Sequence, residues 1–265
     1  MNQISVFFGV LTYEFRMQIR RRSLWITFIL LALVVSGVLR GGNAFLNYLS
    51  TNPQHVPLLR LVVTWTDSIN TVFPIVVGIL LADRLPRDRR TKVDELFIAM
   101  PGALNMRLVG KFLGTTLATL LPMFVYYCVG IGFILYGNHD VRTLLFALEA
   151  FVGIILPGIL FISAFSIACP AVIWVPLYQF LFVGYWFWGN LLPPRFGIPT
   201  LTNTILTPIG GYISSGIFGG DIFQVDQHFH ATLLQGMGSM SLLLGIAVFV
   251  MFVLWSYLRW EQARQ

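Results

Sequence analysis

The chain has 265 residues, of which 57% are hydrophobic and 11% charged, against roughly 25% charged in an ordinary soluble domain. Runs such as Ser23–Leu39 and Met240–Tyr257 carry no charged residue, and about 20 apolar residues suffice to cross a bilayer core, so the composition excludes a soluble globular domain. The net charge of +6 sits mainly in arginines beside apolar runs, the pattern that orients membrane proteins, and no basic patch with interleaved aromatics indicates nucleic acid.

The first segment, residues 1–22, contains Ile4, Phe8, Leu11, Phe15 and Ile19 at helical spacing. Thr12, Arg16 and Arg20 form a neighbouring polar edge. This periodicity predicts an amphipathic helix in the membrane interface rather than a disordered basic tail. Arg16–Arg22 followed by Ser23–Leu39 has the layout of a signal peptide, but no clear small-x-small cleavage site follows. A retained first span is expected.

Six spans are predicted, at about 23–40, 61–82, 107–136, 142–168, 171–191 and 236–258, within a transmembrane unit 23–258 followed by a tail 259–265. With both termini in the cytoplasm, thirteen of the 17 basic residues fall inside and Arg40, Arg60, Arg142 and Arg195 outside. Two cysteines are too few for a disulfide framework. Cys128 is expected in the outer half of the third span and Cys169 at the inner end of the fourth, beyond the roughly 7 Å between Cα atoms that a bridge allows.

The second span is unusual, because only Val72–Ala82 is cleanly apolar. To cross, it must carry Thr64, Asp67, Asn70 and Thr71 into the outer half of the membrane, with Thr64, Asp67 and Thr71 on one face. Polar groups at that depth face protein or a water-filled cavity. Two readings follow, a pathway lining and interhelical hydrogen-bonding glue.

Next comes "DRLPRDRRTKVDELFIAMPG", which holds nine of the 28 charged side chains. Thr91 to Asp94 is close to a capping box, and Asp94 and Glu95 suit the positive end of a helix. Val93, Leu96, Phe97 and Met100 then recur on one face, before Pro101 and Gly102 stop the helix. A short cytoplasmic helix over about 92–100 is expected. Its apolar stripe suggests a partner, the alternative being a helix packed along the membrane surface. Asn105 is placed to cap the next helix, which carries Arg107, Gly110 and Lys111 into the third span.

Farther along, Glu149 is an acid inside the fourth span, read as a partner of Arg142, a snorkelling group or a proton relay. Pro122, Pro157 and Pro176 interrupt spans and permit kinks. The aromatics of Tyr185–Asn190 read as an interfacial belt or a stacking surface for an apolar ligand. Residues 192–235 hold many Gly, Pro and Thr but few charges, and are expected to form an outer, re-entrant segment. Within it, Asp226, His228 and His230 have weak metal-binding spacing; no metal site is expected.

The order "RDRRTKVDELFIAMPGALNMRLVGKFLG" resembles the first intracellular loop of ABC-2 type exporter permeases, with Thr91, Glu95, Leu96, Pro101, Gly110 and Lys111 at the matching places and Arg90 where that family has glycine. "YEFRMQIRRRSLW" resembles the interface helix that begins such permeases. The resemblance, with six spans and both termini inside, covers the whole chain. It implies a multi-pass protein of a prokaryotic cell (inner) membrane, working with a second permease, identical or paralogous. It also implies a coupling helix in which Val93, Asp94, Glu95, Leu96, Phe97 and Met100 dock on one of two separate ATP-binding subunits. ATP and Mg would be bound by those subunits. This chain has no P-loop, since seven residues rather than four separate Gly102 from Gly110-Lys111, and Phe112 stands where Ser or Thr is needed.

Two other classes compete. An integral membrane enzyme, a protease or lipid-modifying protein, would need paired catalytic groups, and neither Gly-x-Ser-x-Gly nor His-Glu-x-x-His occurs. A channel or a transporter not driven by ATP would have no use for a docking helix, and inverted repeats, its usual mark, are not seen. The chain is therefore expected to have no catalytic residues of its own.

Overall fold

The computed structural model describes residues 3–41, 57–90, 104–192, 199–202, 204–220 and 230–264. Regular structure in these residues is entirely helical. The expected helix over 92–100, with Val93, Asp94, Glu95, Leu96, Phe97 and Met100, lies outside the described residues, as do Asp226 and His228.

Helix α1 spans Gln3–Ile19 and α2 spans Arg22–Gly41. The bend between them is closed by the Trp25 indole N–H, which donates to the Ile19 carbonyl at 2.8 Å. Pro57 precedes α3, Leu58–Leu81, which is followed by the short α4, Arg84–Arg90. Helix α5 runs over Leu104–Asn138. Asn105 lies just inside its start, its Oδ1 accepting from the Met106 N–H. The turn after α5 places His139 in the left-handed region at φ 54°.

Helix α6, Arg142–Ala150, passes through a π turn, Phe151–Ile155, into α7, Leu156–Ala168. Pro157 accounts for the wide turn: it lacks an N–H, and its ring crowds the carbonyl one turn back, so the backbone loosens there. A 3₁₀ turn, Cys169–Ala171, then delays the next helix, so that α8 begins at Val175 with Pro176 in its first turn. It ends in a second π turn, Trp186–Leu191. Helix α9 is Gly211–Phe218 and α10 is Leu233–Gln262. A capping box of Thr232 and Gln235 starts α10, with the Thr232 N–H donating to Gln235 Oε1 at 2.9 Å.

Among the described residues, four helical stretches are long and apolar enough to cross a membrane: Leu58–Asp88, Leu104–Asn138, Arg142–Ala171 and Leu233–Gln262. Helices α2 and α8 occupy the places of the first and fifth expected spans. Helix α3 is the centre of the bundle, and every residue from Leu61 to Thr71 is buried. It packs against α2, α5, α6, α7, α8 and α9. Helix α10 is peripheral: 28% of its apolar window is buried, against 67% for α3. Its exposed Val248, Phe249 and Phe252 fit a hydrocarbon surrounding.

Candidate functional site

Two polar constellations lie within this bundle. The first is the stripe on α3. Thr64, Asp67, Asn70 and Thr71 are all buried. The Thr64 and Thr71 hydroxyls donate to carbonyls one turn back, those of Arg60 and Asp67, at 2.6 and 2.7 Å. Such bonding satisfies a hydroxyl without a neighbouring helix. Asn70 works differently. Its Nδ2 donates to the carbonyls of Pro208 and Ile209 at 3.1 and 2.8 Å.

That contact draws the 207–210 turn into the bundle. A side chain at Gly158 on α7 would put its Cβ 2.4 Å from the Pro208 carbonyl oxygen, so the turn passes through the space glycine leaves. Gly210 adopts φ 86°, a conformation that favours glycine, and α9 starts directly after it. Helix α9 in turn covers Asp67, whose carboxyl faces Ser214 and whose Oδ1 has no hydrogen-bond partner among the described residues. The stripe is thus closed over in the single chain by α9 and the 207–210 turn.

Aromatics of the Tyr185–Asn190 stretch divide between two environments. Trp186 is fully buried, and its indole N–H donates to the Thr71 carbonyl at 2.8 Å. Phe187 and Trp188 are exposed, as an interfacial belt requires. Glu149 is exposed on α6, and His230 is exposed before α10. Cys128 and Cys169 are both free thiols.

The second constellation joins α1, α4 and α5 at the opposite end of α3. Glu14, Arg84, Asp88 and Lys111 are all buried. Lys111 pairs with Asp88. Its Nζ is also 3.4 Å from Glu14 Oε1, and Arg84 Nη1 is 4.0 Å from Glu14 Oε2. Two cations and two anions balance, as removal of charge from water requires. Gln18, one turn beyond Glu14, is buried on the same side of α1.

Helix α1 reaches this position because α5 offers it a surface without side chains. A Cβ on Gly110 would stand 3.1 Å from the Phe7 carbonyl oxygen, and one on Gly114 would stand 2.6 Å from that of Leu11. The Gly-x-x-x-Gly spacing lets two helix backbones approach closely, as it does between membrane helices. The pairing of α1 with α5 is the most extensive helix contact among the described residues. It also sets which side of α1 turns inward. Ile4 and Phe8 of the expected apolar face point away from the bundle, and Glu14 and Gln18 point into it.

Sequence periodicity missed Glu14, although a signal was present: it is the sole acid before Asp67 and lies among Arg16, Arg20, Arg21 and Arg22. In the sequence Arg84 falls in the charged loop and Lys111 at its exit, with nothing nearby to mark their partners. The structure brings them together around Glu14, Arg84 from the start of α4 and Lys111 from two turns into α5.

A scan against protein-family models finds no matching family, and a comparison with curated proteins finds no matching relative.

Proposed function

We propose that this chain is the membrane-spanning permease subunit of an ATP-driven exporter of the ABC-2 type. In this reading it has six spans, with α2 and α8 as the first and fifth, both termini in the cytoplasm, and a place in the cell membrane of a prokaryote. Two copies, or this chain and a paralogue, form the substrate pathway. Two separate ATP-binding subunits supply the energy, and ATP and Mg bind there.

The observation that carries the reading is the buried quartet of Glu14, Arg84, Asp88 and Lys111. A docking loop transmits force only if its stems are held rigidly to the elements they must move. Here both stems of the 91–103 segment are tied to each other through Lys111 and Asp88, and to the interface helix through Glu14. Breaking such a buried network by removing one partner costs about 3–5 kcal/mol, which favours movement of α1, α4 and α5 as one body. The resemblance of Thr91, Glu95, Leu96, Pro101, Gly110 and Lys111 to the family pattern points the same way.

The pathway role belongs to Asp67, Asn70 and Thr71, with Thr64 at the edge of the stripe. Because α9 covers Asp67 and the 207–210 turn covers Asn70, export requires both to shift when the ATP-binding subunits close. A ligand or partner changes such an equilibrium only through its different affinity for the two states.

Co-purification from the cells that make the chain, in mild detergent, tests the proposal. A polypeptide with a nucleotide-binding site should be retained in comparable amount. Recovery of the intact chain with no such polypeptide contradicts it.

A further inference from the structure

A groove of about 710 Å³ opens between α5 and α10, with Leu160 of α7 also lining it. Leu108, Phe112, Ala247 and Met251 line its walls. Its mouth differs from its walls. Asn105 and Trp255 stand there, and the Arg259 guanidinium lies 5.5 Å from the centre of the Trp255 ring. One turn further, Arg264 stacks on Trp260 at 3.6 Å, with Glu261 between them in sequence.

The dimensions fit one leaflet. From Asn105 to Leu113 a helix advances about 12 Å, and from Leu244 to Trp255 about 16 Å, at the usual rise per residue. Half of a bilayer core of about 30 Å is close to both. The groove is therefore apolar over the depth of an acyl chain and basic at the level of a headgroup. Arginine stacked on an interfacial tryptophan is placed to meet a phosphate with its charge.

We propose that this groove is a binding site for an anionic phospholipid, with an acyl chain between α5 and α10 and the phosphate beside Arg259. The site is independent of the export reading and needs only insertion in a membrane. Val248, 71% exposed at the groove wall, and Arg259, exposed beside Trp255, take no part in the buried packing, so both positions tolerate substitution without loss of the fold.

The test is native mass spectrometry of the full chain released from nanodiscs of equal phosphatidylglycerol and phosphatidylcholine. Phosphatidylglycerol should be enriched about fivefold among retained lipids, the effect of one basic side chain at an anionic headgroup. Arg259→Gln should return the retained lipids to the bulk ratio, and Val248→Trp should lower retention of both headgroups by filling the groove. No enrichment in the unaltered chain, or enrichment that Arg259→Gln leaves unchanged, overturns the proposal. A shift from dimer to monomer in Val248→Trp with lipid retention unaltered also overturns it, and would assign the groove to a second copy of the chain.

Discussion

Lys111 at the base of α5 stands 3.4 Å from Glu14 of α1 and pairs on its other side with Asp88 of α4. One ammonium thus joins three helices that are separate in sequence. Substituting Lys111 with Met takes from the buried Glu14 and Asp88 carboxylates the ammonium they share. The loss of stability should be about 3–5 kcal/mol, as for other buried pairs deprived of one partner. Combining Lys111→Met with Glu14→Gln should cost less than the sum of the single changes, because the second removes a stranded charge. Thermal unfolding of the four proteins in one detergent measures this; strict additivity would show that the two side chains do not interact.

Gly114 owes its identity to the approach of α1, since a Cβ there would stand 2.6 Å from the Leu11 carbonyl oxygen. Gly114→Leu should push α1 off α5 and raise the rate at which trypsin cleaves within the Arg16–Arg22 stretch. Gly9→Ala, where nothing lies within 4 Å, should leave the cleavage rate as it was. Equal protection in both variants would mean that α1 does not depend on this contact.

Asn70 holds the 207–210 turn through two carbonyls. Asn70→Leu should destabilise the protein by about 1–3 kcal/mol for each buried carbonyl left without a donor. Thr64→Val should have a small effect, because among the described residues that hydroxyl bonds only its own helix. A comparison of unfolding temperatures distinguishes the positions, and equal small effects would show that the turn is held from elsewhere.

Cysteines introduced at Asp67, Asn70 and Thr71 test the pathway role. With α9 in the position described, they should resist water-soluble thiol reagents applied from outside. If these residues line the route, reactivity should appear in at least one other nucleotide state of the partner subunits. Absence of labelling both with and without ATP would assign the stripe to packing alone.

The helical nature of these segments was legible because apolarity repeats at 3.6 residues or runs unbroken. Much of what fixes the site was not, because it depends on partners distant in sequence. Periodicity showed α1 as a helix, but its inward side is chosen by Lys111 and the two glycines of α5, nearly 100 positions away. Asn70 was legible as a buried polar residue, whereas its acceptors lie 138 and 139 positions on. Pro157 signalled a disturbance, and the surrounding helix met it with a π turn rather than a sharp break. Trp186 read as one more interfacial aromatic beside Phe187 and Trp188. Only the packing of α8 on α3 turns it inward to the Thr71 carbonyl.

The central claim is that the segment between α4 and α5 docks an ATP-binding subunit through Val93, Leu96, Phe97 and Met100. The most direct measurement is retention of that subunit by the Leu96→Asp, Phe97→Asp double variant, with membrane insertion checked in the same preparation. The expected result is an inserted chain that no longer retains the ATPase and no longer supports export. An inserted double variant that retains the ATPase as well as the unaltered chain does would contradict it.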